Sequence, residues 1–235
     1  MGFIDIELLG RLGAPRSVLD QYIYLDRKFL GRVGAVKRGA DIVLSGVALL
    51  FLLPVFIIVA LAIKLTSPGP VLYRQNRLGR FGQTFSILKF RSMHRDGNAK
   101  LETLLEKCPK SRAHWDKYQK LENDPRITRI GAFLRKTSID ELPQLLNVLR
   151  GDMSIVGQRP LLPEQELIYG TSSFVHYIRS RPGITGLWQI SGRNALPFEK
   201  RAELDVEYSK QWSLWLDCKI ILLTIPALLF PKGAY

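Results

Sequence analysis

The dominant feature in the alternation of apolar and polar positions is an uncharged apolar run from Ile42 to Ile63. It is preceded by Lys37, Arg38 and Asp41 and closed by Lys64. Roughly 20 such residues suffice for a helix to cross a hydrocarbon core, so the pattern predicts a membrane element. Pro54 lies inside the run, where it removes one backbone donor and crowds the carbonyl of Leu50, which predicts a kink or break there. Basic residues flank both ends, with Arg27, Lys28, Arg32, Lys37 and Arg38 before and Lys64, Arg74, Arg77 and Arg80 after. Short basic flanks prefer the cytoplasmic side. A plain span puts one cluster on the wrong face, whereas a re-entrant helix-hairpin broken at Pro54 keeps both on one side; the pattern is compatible with either.

Shorter periods fill the rest of the chain. Val18, Tyr22, Leu25 and Phe29 recur at helical spacing and predict an amphipathic N-terminal arm over residues 1–36. The membrane element takes residues 37–64, and residues 65–235 form the remaining domain. Ser67-Pro-Gly-Pro70 ends the helix, and Val71 to Arg74 starts a strand. Tyr73 to Met93 reads as a hairpin whose turn holds Gly79 and Gly82 among Arg74, Arg77 and Arg80, a composition that can cradle phosphate or touch anionic lipid. Ala99 to Glu122 has a helical pattern broken at Pro109, as in a surface insertion. Ile127, Ile130, Phe133 and Leu134 form a further apolar face, and Leu142, Leu145, Leu146 and Leu149 predict a helix that starts near Ser138 and stops at Gly151. Met153 to Pro163 and Arg181 to Asn194 each read as a short strand or turn leading into a loop that fixes an arginine. The C-terminal apolar stretch, interrupted by Asp217 and Lys219, predicts an interfacial helix, with Trp212 and Trp215 suited to a membrane surface.

Charge narrows the partners. The chain of 235 residues carries 34 Lys and Arg against 21 Asp and Glu, a net charge of +13, which points to anionic partners. With a membrane run present, lipid headgroups and phosphates are favoured over nucleic acid. Cys108 and Cys218 lie far apart without metal-ligand spacing, as reduced thiols do. Neither a P-loop nor a G-x-S-x-G elbow is present.

The densest chemistry lies in RKTSIDELPQLLNVLRGD, Arg135 to Asp152. Ser138 and Glu141 fit a capping box, which would make the acidic pair purely structural. Against that stand the adjacent carboxylates Asp140 and Glu141, the awkward Pro143, and the basic pair Arg135 and Lys136 just upstream. Helix-start amides bind anions, cations neutralise phosphate oxygens, and nearby positive charge keeps a carboxylate ionised and nucleophilic. Adjacent side chains point in different directions, so of Asp140 and Glu141, the candidate metal residues, one can meet a substrate phosphorus while the other meets a metal or a proton. A carboxylate attacking a diphosphate also needs its charge screened, which implies a divalent cation such as magnesium. The pattern therefore suits phosphoryl transfer. Asp205-Val-Glu207 reads as a solvated helix face.

KRGADI before the membrane run, SPGPVLYRQNRLGRFGQTF with KFRSM, DPRITRIGAFLRKTSIDELPQLLNVLRGDMSIVG and RPGITGLWQISGRN together resemble the bacterial sugar transferases, or monotopic phosphoglycosyl transferases. The length and the terminal GAY look like the compact members that start exopolysaccharide repeat units. The resemblance implies an α/β fold: a re-entrant membrane helix-hairpin plus a small cytoplasmic α/β catalytic domain with amphipathic interfacial helices, at the inner membrane. It implies that Asp140 attacks the β-phosphate of a UDP-sugar, that UMP leaves, and that undecaprenyl phosphate then accepts the hexose-1-phosphate, with Glu141 assisting magnesium or proton transfer. It places Arg135 near the phosphate, with Lys89, Arg91, Arg159 and Arg181 as further phosphate contacts. A homodimer is compatible with the N-terminal arm. The family's G-P-R-P is Gly157-Gln-Arg-Pro160 here, a change expected to loosen that loop. The competing readings are a membrane-tethered scaffold for anionic lipid and an ordinary metal-dependent glycosyltransferase, which would release UDP.

Overall fold

The computed structural model describes residues 29–118, 121, 124–191 and 198–229. The amphipathic arm expected over residues 1–36 lies outside the described residues as far as 28. In chain order the elements are helix α1 (Arg32–Thr66), strands β1 (Leu72–Leu78) and β2 (Thr84–Phe90), helices α2 (Gly97–Lys107), α3 (Pro109–Tyr118), α4 (Arg129–Lys136) and α5 (Gln144–Arg150), strand β3 (Ser154–Val156), helices α6 (Glu166–Tyr169) and α7 (Thr171–Tyr177), strand β4 (Gly183–Thr185), and helices α8 (Leu187–Ile190), α9 (Phe198–Gln211) and α10 (Leu214–Leu229). Helix and strand are thus mixed, as expected. β1 pairs with β2 across the glycine-bearing turn, and β3 pairs with β4 in parallel, Ser154 opposite Gly183 and Val156 opposite Thr185.

Helix α1 is the one described helix long and apolar enough to cross a membrane. Its helical assignment continues from Arg32 to Thr66 with Pro54 inside, so the expected break is not a gap in the helix. A proline deletes one hydrogen bond of the ladder, and the Leu, Ile, Val and Phe residues on either side supply enough helical turns for the ladder to resume. Its apolar side chains from Ile42 to Leu65, including Phe51, Ile58 and Leu61, are largely exposed. Exposed apolar surface on that scale marks an interaction surface rather than a water-facing one.

The chain divides into two compact units. The first takes the described residues up to Leu52, Arg74–Leu88 and those from Gln144 onward. Its apolar clusters centre on Leu161, Val175, Tyr177 and Ile178, on Phe29, Val156, Tyr208, Trp212 and Ile220, and on Ile87, Val148 and Met153. Here the basic start of α1 has internal duties. Lys37 Nζ donates to Asp217 at 2.6 Å and to the carbonyl of Val156 at 2.9 Å, while Asp41 accepts from the amide of Ile155. Arg38 donates to the carbonyls of Val148 and Leu149 in the last turn of α5, where cations complement orphan carbonyls. Two of the charges expected to mark a membrane flank are therefore bonded within the protein. Asp217 also accepts from Tyr208 and from the indole of Trp212, so Trp212 is a core residue stacked on Phe29 at 4.4 Å, and only Trp215 of the expected interfacial pair is exposed. The β3–β4 pair is backbone-close: a Cβ on Gly183 would lie 2.1 Å from the amide nitrogen of Gly157, so no larger residue fits.

The second unit comprises Leu53–Tyr73 and Lys89–Pro143. Val59 and Ile63 from the end of α1 pack with Phe90 and Leu134 and are joined by Ile130, Ile139 and Leu142. Phe133, expected on the same face, is exposed. The surface insertion is helical as expected, with Leu101 and Leu105 buried and the break at Cys108 and Pro109.

Candidate active site

The acidic pair stands on a short 3-10 turn, Ile139–Glu141, not on a regular helix. Ser138 adopts a left-handed conformation (φ 57°, ψ 15°) and makes no side-chain cap bond, which corrects the capping-box expectation. Pro143 explains the shift: its ring and missing N–H disfavour helix to its N-terminal side, so α5 begins only at Gln144. A non-glycine residue with positive φ is uncommon, and such backbone concentrates at functional sites. Asp140 is 7% exposed and Glu141 is half-buried.

Three further residues of the same unit complete the constellation. Lys89, next to last in β2, donates from Nζ to Glu141 Oε1 at 2.6 Å. Arg135, in the last turn of α4, donates from Nε to Ser92 Oγ at 3.1 Å, which uses one of its five N–H groups. Ser92 also sets the height of α4. Its carbonyl accepts from the amide of Thr128, and a Cβ on Gly131 would lie 1.9 Å from that carbonyl oxygen. Thr128 caps the helix by accepting from the amide of Gly131. Ser92 and Gly131 were missed by sequence reasoning; a glycine inside the amphipathic stretch TRIGAF was the available signal.

Arg91 has a structural duty. Its guanidinium donates to the carbonyls of Ser67 and Pro68 and to Ser67 Oγ, clamping the turn that follows α1. Burial, and Arg95 nearby, push its pKa below the usual arginine range. Arg159 and Arg181 belong to the first unit. The Arg159 guanidinium lies 5.5 Å from the ring centre of Trp188, and its carbonyl accepts from Arg201. Arg181 donates from Nε to the carbonyl of Gly151 at 2.7 Å.

The loop beside Arg159 is tied rather than loosened. Gln158 is 1% exposed; its amide donates to the carbonyls of His176 and Asp205, and its Oε1 accepts from Ser180. Asp205, expected on a solvated face, is 2% exposed, accepts from Tyr169 and sits beside Arg201. Burial pushes its pKa up to about 6, against the opposing pull of Arg201 and Tyr169. Glu207 is exposed, as expected.

Among the described residues there is no cluster of three or more His, Cys, Asp or Glu that could hold a metal. Two adjacent carboxylates nevertheless suit magnesium, which takes one or two carboxylates and completes its shell with water and phosphate oxygens. Asp140 and Glu141 fit that donor set, with one Glu141 oxygen shared with Lys89.

Residues 32–231 match the family model described as bacterial sugar transferase. The exopolysaccharide production protein ExoY of Rhizobium meliloti is 46% identical over 202 residues, covering 86% of this chain and 89% of ExoY. The undecaprenyl-phosphate galactose phosphotransferase of Salmonella typhimurium is 46% identical over 201 residues, 85% of this chain but 42% of that protein. The UDP-glucose:undecaprenyl-phosphate glucose-1-phosphate transferase of Escherichia coli is 43% identical over 207 residues, 85% of this chain and 41% of that protein. With the match starting at the first residue of α1 and running through the acidic turn to α10, the chain belongs to the bacterial sugar transferase family.

Proposed function

We propose that the protein transfers hexose-1-phosphate from a UDP-sugar to undecaprenyl phosphate, releasing UMP, as an early membrane step of exopolysaccharide assembly. The observation that carries this reading is the buried Asp140 beside Glu141, with Glu141 ion-paired to Lys89 in the same unit. The names of the relatives support the substrates: undecaprenyl phosphate in two of them, UDP-glucose in one of those two, and exopolysaccharide production in a third.

In this reading the Asp140 carboxylate attacks the phosphorus that bears the sugar. A bond forms from Asp140 Oδ to phosphorus, the bond to the bridging oxygen breaks, and UMP leaves with the electron pair. A phosphate oxygen of the lipid then attacks the same phosphorus, and the carboxylate leaves. The repulsion between a carboxylate and a diphosphate is what the site must offset. Lys89 and Arg135 supply positive charge within this unit, and Glu141 is held in place by Lys89. Magnesium, held by Asp140 and Glu141, would neutralise phosphate oxygens when bound. The left-handed Ser138 fixes the direction in which the acidic turn leaves α4.

The exposed apolar side chains of α1 favour its residence in lipid, with the remaining residues on the cytoplasmic face of the inner membrane. Basic residues lie at both ends of the apolar run, and such flanks prefer the cytoplasmic side, so re-entry bent at Pro54 fits them better than a crossing. Single cysteines placed before Arg32 and after Thr66 test it. Labelling of both from the cytoplasmic side alone is expected, and labelling of the first from the periplasm would establish a span.

The activity is tested with the detergent-extracted protein, undecaprenyl phosphate and a panel of UDP-sugars, scored by UMP release. Turnover that falls roughly a thousandfold or more in Asp140→Asn supports the reading. Release of UDP, or near wild-type turnover in that variant, refutes it.

A further inference from the structure

Ser138 stands where α4 hands over to the acidic turn, and its backbone is committed on both sides. Its amide donates to the carbonyl of Arg135 at 3.1 Å, and its carbonyl accepts from the amide of Glu141 at 3.2 Å. Between these two bonds the residue is left-handed, at φ 57° and ψ 15°. In that region a Cβ crowds the backbone, a cost that glycine avoids and that asparagine and aspartate offset with local hydrogen bonds. Serine here does neither. Its hydroxyl makes no cap bond and, among the described residues, has no other hydrogen-bond partner. Hydroxyls elsewhere in the same unit differ. Thr137 Oγ1 donates to the carbonyls of Phe133 and Leu134, Thr128 Oγ1 accepts from the amide of Gly131, and Ser92 Oγ accepts from Arg135.

A turn that needed only the left-handed backbone would be served better by glycine, so the side chain at this position answers to something other than the fold. It is half-buried and two residues before Asp140, in the unit that also holds Lys89, Arg135 and Glu141. We infer that Ser138 is a substrate-contact residue of the transfer: its hydroxyl donates to a non-bridging oxygen of the phosphoryl group that Asp140 attacks. This rests on the transfer reading above and names a further donor for that same site. Lys89 and Arg135 supply charge, whereas Ser138 supplies an uncharged, directed donor whose reach is set by its two backbone bonds. The proton stays on Ser138 Oγ throughout, and no covalent bond forms or breaks there.

The test compares the full wild-type chain in detergent with Ser138→Gly and Ser138→Ala, measuring UMP release from a turned-over UDP-sugar with undecaprenyl phosphate, and thermal unfolding of the same preparations. Ser138→Gly removes the hydroxyl and relieves the left-handed backbone; Ser138→Ala removes the hydroxyl and keeps the strain. Both are expected to lose about ten- to a hundredfold in kcat, the loss expected for one hydrogen bond to a charged group, with a smaller change in KM. The unfolding midpoint of Ser138→Gly is expected to be no lower than that of Ser138→Ala. A purely structural duty predicts the opposite for turnover, since glycine keeps the turn and would keep the rate. Ser138→Gly turning over at a near wild-type rate therefore overturns the inference. Should that variant fail to fold, Ser138→Ala carries the comparison, and a near wild-type rate there overturns it equally. A wild-type protein that releases no UMP removes the transfer reading and this inference together, whereas UMP release shared by wild type and Ser138→Gly removes this inference alone.

Discussion

Lys89 and Glu141 are 52 residues apart in sequence, yet Lys89 Nζ lies 2.6 Å from Glu141 Oε1, with both side chains only partly exposed. An exposed ion pair would contribute little. This one, at the edge of a buried acidic turn, orients the carboxylate next to Asp140. Lys89→Met leaves Glu141 without this partner and removes a charge beside the substrate phosphates. UMP release is expected to fall by about a hundredfold, with part of the activity kept by Lys89→Arg. Loss of activity is to be compared with the unfolding midpoint, which this change should lower only slightly.

Arg91 and Arg135 are expected to differ in kind. Arg91→Ala strips donors from the carbonyls of Ser67 and Pro68 and from Ser67 Oγ, so it should destabilise the protein by about 2–4 kcal/mol. Arg135→Ala, losing one bond to Ser92, should lower turnover by an order of magnitude or more with a midpoint near that of the wild type. Thermal unfolding and UMP release on the same preparations separate the two.

Gly131→Ala places a methyl group against the Ser92 carbonyl, at a separation of 1.9 Å before any adjustment. Backbone cannot yield cheaply, so α4 must shift and take Arg135 with it. A loss of about 1–3 kcal/mol in stability is expected. The Arg135 contribution to turnover should be lost as well, so that Gly131→Ala and Arg135→Ala are far from additive in UMP release.

Two buried groups in the first unit should oppose one another in acid. Burial, aided by Arg179 and Lys210, pulls the His176 pKa down to about 4 from an ordinary 6.5; its contribution to stability is complete above pH 6.5 and lost as pH falls toward 4. Burial pushes Asp205 up to about 6 from 3.8, so its contribution is complete below pH 3.8 and lost as pH rises through 6. The wild-type stability curve should therefore be shallow between pH 4 and 6.5. Relative to it, His176→Gln should gain stability as pH falls across that window, and Asp205→Asn should lose it. Denaturant unfolding at a series of pH values checks both signs.

Much of the fold was legible because it is written in periodicity: the apolar run of α1, the hairpin around Gly79 and Gly82, and the insertion broken at Pro109 all stand where their patterns put them. The acidic turn was legible as chemistry but not as geometry. S-x-x-E is the same string whether Ser138 caps a helix or turns left-handed, and only the backbone angles, imposed by what surrounds the turn, distinguish them. Asp205 and Trp212 were misplaced for a related reason. Helical spacing says which residues share a face, but not whether that face meets water or a partner such as Tyr169 or Phe29 brought from far along the chain. Lys37, Arg38 and Arg91 looked like free cations because their acceptors are mostly backbone carbonyls, which carry no signature in sequence.

The nucleophilic role of Asp140 is tested most directly by intact-protein and peptide mass spectrometry after mixing the wild-type protein with a turned-over UDP-sugar in the absence of undecaprenyl phosphate. The predicted result is a mass gain of one hexose phosphate on the peptide containing Asp140, up to one UMP released per chain, and loss of the adduct when undecaprenyl phosphate is added. UMP that appears only after the lipid is supplied, with no adduct at any time, would contradict it.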